Sequence, residues 1–179
     1  VIADDHATDA PRATPEPTGV LRPTAEGHDL VLTRTFGAPA ADVWSWLTEP
    51  ERTGRWFGQW EGDAAPGRTV RVQMAYEDGA PWSDLRVDVC EPPRRLAVSM
   101  VDEAGDWRME ALLADAEGGG TRLELIHHLT TVAGVGEVGP GWEYYLDLLV
   151  AARDGAADTA APSFDDYYPA QRGYFTSLA

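Results

Sequence analysis

Residues Leu30–Gly58 read LVLTRTFGAPAADVWSWLTEPERTGRWFG, and the changes of pattern within them decide the fold. Leu30, Leu32, Arg34 and Phe36 alternate with Val31, Thr33 and Thr35, the period-two pattern of a strand. After Gly37, Pro39 stands where the first turn of a helix tolerates a missing N–H, and Val43 and Leu47 fall on one face with Trp44 beside them. Thr48-Glu49-Pro50-Glu51 matches a capping box, with the Thr48 hydroxyl accepting from the Glu51 N–H and the Glu51 carboxylate reaching back. A second short helix is therefore expected, carrying a Glu51–Arg55 pair at i, i+4 and ending through Trp56-Phe57 at Gly58.

Downstream, residues 59–129 read as strands joined by tight turns. Val70, Val72, Met74 and Tyr76 share one face before the Asp78-Gly79 turn; Leu85, Val87 and Val89 alternate with Arg86, Asp88 and Cys90. Leu96, Val98 and Met100 follow, then a turn at Glu103-Ala104-Gly105, then Trp107, Met109 and Ala111, and after Gly118-Gly119-Gly120 come Leu123, Leu125 and His127. Clean alternation predicts an antiparallel sheet of about six or seven strands with one covered face. Its cover is a long helix opened by Pro140-Gly141, with Trp142, Tyr145, Leu146, Leu149 and Val150 on one stripe and Gly155 after its end. The fold class is α+β. The Pro-rich residues 1–27 read as a loosely ordered leader, 28–155 as the domain, and 156–179 as an Ala-rich linker with an aromatic tail that packs back.

The 179 residues carry 14 basic and 30 acidic side chains, a net charge of −16, and every basic one is arginine. Such a chain lacks the cationic footprint that neutralises phosphates, which argues against nucleic acid and anionic membrane as partners. One cysteine, Cys90, forms no internal disulfide framework and no multi-Cys metal site. The first residues, VIADDHATDA, have neither the basic nor the apolar region of a signal peptide, and no apolar run reaches membrane-spanning length, so a cytoplasmic location is expected.

Several of these stretches also resemble a known family. Arg34-Thr35-Phe36-Gly37-Ala38-Pro39 with Val43-Trp44, Leu47-Thr48-Glu49-Pro50-Glu51 and Arg55-Trp56-Phe57 are similar to the opening of the Aha1-like (activator of Hsp90 ATPase homologue) branch of the START/Bet v 1-like (SRPBCC) superfamily. So are Val89-Cys90-Glu91-Pro92-Pro93-Arg94-Arg95-Leu96, Gly120-Thr121-Arg122-Leu123-Glu124-Leu125 and Gly141-Trp142-Glu143-Tyr144-Tyr145-Leu146, over roughly residues 29–154. The resemblance implies a helix-grip fold, a curved sheet wrapped around the C-terminal helix with a cavity between them. It also implies hydrophobic-ligand binding, cyclase or aromatase activity, or an Hsp90-type protein contact, because a fold hosts several functions.

Placed on that fold, the candidate ligand-binding residues are Met74, Tyr76, Leu85, Val87, Met100, Trp107, Met109 and His127 on the sheet, opposed by Trp142, Tyr145, Leu146 and Leu149. They line a cavity or simply fill a core. His127 and His128 point to opposite faces of a strand and cannot chelate one metal together; His127 is either a hydrogen-bonded core histidine or a group that orients a ligand. Arg34 is expected to pair with a carboxylate such as Glu110. Trp56-Phe57-Gly58-Gln59-Trp60 is a plug beneath the short helices or part of a ligand mouth. Gly134-Val135-Gly136-Glu137-Val138-Gly139 matches G-x-G-x-x-G, but no strand follows to complete a dinucleotide site, so a flexible loop gating the cavity is expected. The reading is non-covalent binding of a small hydrophobic or aromatic molecule, without metal or cofactor; a cyclase/aromatase-like enzyme or a protein-interaction module is the alternative.

Overall fold

The computed structural model describes residues 14–102, 105–155 and 161–179. Eight strands, β1 (Val20–Pro23), β2 (His28–Phe36), β3 (Trp60–Glu61), β4 (Thr69–Gln73), β5 (Trp82–Glu91), β6 (Arg95–Asp102), β7 (Gly105–Asp115) and β8 (Thr121–Leu129), form one antiparallel sheet in the order β1-β2-β8-β7-β6-β5-β4-β3. Helices α1 (Ala40–Thr48) and α2 (Pro50–Thr53) follow β2. The long helix α3 (Val135–Arg153) follows β8, and a 3-10 turn at Phe164–Asp166 and α4 (Arg172–Thr176) end the chain. This is the helix-grip architecture: a curved sheet holding α3.

Register follows from which face is covered. Leu30 pairs with His127, His127 with Met109 and Trp107 with Met100, so these residues share the face turned to the helices. Leu30, Leu32, Phe36, Val43, Leu123, Leu146 and Leu149 are all buried there. Each such side chain contributes about 1.5–3 kcal/mol by leaving water.

The strand count exceeds the expected six or seven at both edges. Residues 20–23 lie in the stretch read as leader, yet Val20 pairs with Val31 and Pro23 with His28. A four-residue strand bounded by proline carries too little alternation to be seen. The two-residue β3 pairs Trp60 with Val72. Residues 1–13, Glu103 and Ala104 of the expected turn, and 156–160 of the expected linker lie outside the described residues.

Three local expectations need correction. Thr48 does not cap α2: its hydroxyl donates to the Trp44 carbonyl at 2.9 Å, and Glu49 stands at the cap without a side-chain bond. Strand β4 stops at Gln73: Met74 N–H still bonds to Pro81 O, but Pro81 has no N–H to return, and the loop that follows takes Met74 and Tyr76 off the sheet. Helix α3 starts at Val135, so Pro140 lies inside it and the glycine-rich run forms its first turns rather than a gating loop. Gly134, at φ +84°, supplies the left-handed residue that starts the helix. Gly136 and Gly139 face the tail: a Cβ on Gly136 would lie 2.5 Å from Thr176 Oγ1, and one on Gly139 2.3 Å from the Phe175 ring. The glycines are there for close helix packing.

Candidate ligand cavity

The α1–α2 corner arches over the inner face of the sheet and leaves a space of about 110 Å³ beneath it. Leu47, Thr53, Trp56 and Phe57 form the roof; Val72, Leu85, Leu96, Val98, Met109, Ala111 and Leu125 form the floor; Trp60 and Trp142 form the sides. The corner is held by its own tryptophans. Trp56 Nε1–H donates to the Trp46 carbonyl at 2.9 Å, and Trp60 Nε1–H donates to the Thr48 carbonyl at 3.1 Å.

The polar atoms of this lining are already bonded within the protein. Besides those two indoles, Trp142 Nε1–H donates to His127 Nδ1 at 3.2 Å. Thr53 Oγ1–H lies 3.2 Å from Pro50 O and 3.3 Å from Glu49 O. Glu110 borders the space, but its carboxylate pairs with Arg95 Nε and lies 3.4 Å from His128 Nε2. The walls therefore offer dispersion contact and apolar surface.

Of the twelve residues singled out in the sequence, Leu85, Met109 and Trp142 line this space. His127 and Tyr145 stand one layer behind. His127 is 3 % exposed and stacks on Trp107 at 5.1 Å; Tyr145 meets the Phe57 ring at 5.4 Å and the Trp142 ring at 5.9 Å. Val87, Met100, Leu146 and Leu149 are buried outside the lining. Tyr76 is partly exposed in the β4–β5 loop and donates to the Arg55 carbonyl at 2.6 Å, while Met74 precedes it in that loop. Missed entirely was the roof contribution of Leu47 and Thr53. Leu47 belonged to the recognised apolar stripe of α1, whereas no pattern marks Thr53. The Trp56–Trp60 cluster borders the cavity and also plugs the corner. Val72, Val98 and Leu125, read as facing inward, do so.

Electrostatics separate the two faces of the sheet. Burial pushes the His127 imidazolium pKa down to about 4, helped by His128 and Arg108, so His127 is neutral at pH 7. Burial also raises the Tyr145 hydroxyl pKa, and its bond to Glu77 at 2.6 Å raises it further. On the outer face His128 Nδ1 lies 2.7 Å from Asp29. Arg34 does not meet Glu110, which lies on that outer face. Its guanidinium instead reaches α3, 2.7 Å from Glu143 and 2.8 Å from Asp147, and donates to Thr18 Oγ1 at 2.9 Å. Burial alone would lower its pKa, but the two carboxylates outweigh that and raise it. Among the described residues no group of three or more His, Cys, Asp or Glu side chains is placed to hold a metal ion, and no helix is long and apolar enough to cross a membrane.

A sheet gripping a long helix above an apolar space is the architecture of the START/Bet v 1-like (SRPBCC) proteins. The model of the Activator of Hsp90 ATPase homolog 1-like (AHSA1) family matches residues 37–153, and the chain belongs to that family. The crystal structure of CalU16 from Micromonospora echinospora is 30% identical, over 91% of this chain and 96% of that one, with a TM-score of 0.71. A protein of Bordetella parapertussis, encoded by gene BPP1335, is 24% identical over 94% and 93% of the two chains, with a TM-score of 0.68. DynU16, from the dynemicin biosynthetic locus, is 24% identical over 78% of this chain and 49% of that chain, with a TM-score of 0.60. Among curated proteins none matches the sequence.

Proposed function

We propose that the protein binds a small hydrophobic molecule non-covalently beneath the α1–α2 corner, with a single aromatic ring or its equivalent as the part that enters. The observation that carries this reading is the 110 Å³ apolar space whose three indole N–H groups are each bonded to protein acceptors. Apolar cavities of this order stay dry and accept benzene-sized guests. The size also limits affinity. Burying one ring gains about 3 kcal/mol at ~25 cal/mol per Å², so ring-sized probes bind in the millimolar range unless the ligand extends beyond the cavity.

The same lining weighs against the cyclase/aromatase alternative. Proton transfer needs an acid or base within hydrogen-bond reach of the reacting atom, and His127 and Tyr145 bond to Trp142 and Glu77 one layer away. The test is calorimetric and spectroscopic titration with toluene, indole and phenol. Saturable binding of toluene and indole, abolished by the cavity-filling Ala111→Leu, is expected. Failure of every ring-sized probe to bind or to raise Tm overturns the reading.

A further inference from the structure

A second concavity, of about 720 Å³, shares no lining residue with the apolar cavity. Asp42 and Trp46 of α1, Glu51 and Arg52 of α2, Arg55, and Arg153 and Asp154 at the end of α3 border it. Most of these charges are paired within the protein. Arg153 lies 3.2 Å from Asp42 and 3.0 Å from Asp154; Arg52 lies 2.9 Å from Glu49 and 3.6 Å from Asp42.

Two charges are left. Arg55 alone among the described arginines has no described carboxylate within 4.0 Å, in a chain with 30 acidic residues to 14 basic ones. Glu51, its expected i, i+4 partner, likewise has no described cation within that distance. The cause is the indole between the helices. The Arg55 guanidinium lies over the Trp46 ring at 5.5 Å, with Arg52 over the same ring at 5.4 Å. Stacking an exposed guanidinium on tryptophan, worth about 0.5–1 kcal/mol, outweighs an exposed i, i+4 pair worth a few tenths of a kcal/mol. The main chain of Arg55 is fixed as well, since its carbonyl accepts from Tyr76 and its N–H donates to Arg52 O at 3.1 Å.

The groove thus offers a planar, stacked five-donor fork and one free carboxylate. A simple anion would meet Glu51 there, and a simple cation would meet three arginines. We propose that this groove is a second ligand site, for a small zwitterion whose carboxylate is held by Arg55 and whose ammonium is held by Glu51. A guanidinium fork matches a carboxylate through two parallel hydrogen bonds, and an ammonium supplies the counter-charge that the carboxylate of Glu51 lacks.

The test is an NMR titration of the whole ¹⁵N-labelled chain with glycine, β-alanine, 4-aminobutyrate and 6-aminohexanoate, using acetate and ethylammonium as single-charge controls. Saturable shifts of the Trp46 indole N–H and Arg55 Nε–H are expected with at least one amino acid, at a Kd about tenfold or more below that of either control. Arg55→Gln and Glu51→Gln should each raise that Kd about tenfold, the strength of one charge-assisted hydrogen bond. Trp82, stacked on the already paired Arg71 at 5.1 Å, is the internal reference that should not move. The proposal is overturned if no amino acid saturates, if acetate binds as tightly as the best of them, or if the shifts survive Arg55→Gln. Neither variant touches the apolar cavity, so toluene binding reads the first site independently.

Discussion

The ring of Phe175 rests on the bare backbone of Gly139, and a Cβ added there would lie 2.3 Å from two of its ring atoms. Gly19 meets the same ring, and a Cβ there would stand 2.6 Å from Cε1. Phe175 is fully buried, so the ring cannot swing away into solvent. Gly139→Ala should therefore cost about 1–3 kcal/mol through overpacking, although alanine is the better helix former. Urea unfolding reads this directly; an unchanged or raised midpoint would show that the tail does not bear on α3.

Arg34 and Glu143 form the polar counterpart of that contact. Glu143, almost wholly buried, accepts from the Thr18 and Gly19 N–H groups as well as from Arg34. Removing one partner strands the other, at about 3–5 kcal/mol. Arg34→Met and Glu143→Gln should each destabilise strongly, and the double variant by clearly less than the sum of the two. Additive losses in denaturant midpoints would refute a shared network.

His127 makes stability depend on pH in a defined window. Its folded pKa of about 4 lies below the ordinary 6.5, so between these values the unfolded chain binds the extra proton. The contribution is complete above pH 6.5 and is lost as pH falls toward 4, on the order of 3 kcal/mol. The difference in unfolding free energy between the wild type and His127→Gln, followed from pH 7 to pH 4, should shrink by that order. A difference independent of pH would mean that the imidazole already titrates like a solvated one.

Met109 borders the apolar cavity and is itself buried. Met109→Ala should lower stability by about 2–5 kcal/mol while tightening the binding of indole, because the enlarged space takes a second ring. Stability and affinity moving in the same direction would place the ligand elsewhere.

Much of this fold is legible in the alternation of β5 to β8 and in the stripe of α3, because each element buries one face and the pattern records which. The cavity was less legible for a physical reason. Periodicity shows that Met100, Leu146 and Met109 all point inward, but not that the first two are buried away from the cavity while the α1–α2 corner leaves a gap above the third. The helical start at Val135 was hidden by Gly136 and Gly139. Intrinsic propensity disfavours glycine in a helix, and only the tail, more than thirty residues downstream, explains why nothing larger fits. Arg34 announced a buried ion pair without naming its partner, since alternation cannot tell which helix residue stands over a strand.

The bonds of Glu143 bear on where this protein can be cut. The family-matched stretch, 37–153, contains Glu143 but none of Thr18, Gly19, Arg34 and Phe175. A fragment trimmed to that stretch would keep a carboxylate deep in α3 with its cation and its amide donors removed, beside an empty socket at Gly139. The contacts around Glu143 and Gly139 therefore reach from Thr18 to Phe175, some forty residues beyond the limits of the family match. Thr18, Gly19 and Phe175, remote in sequence, together close one keystone on α3.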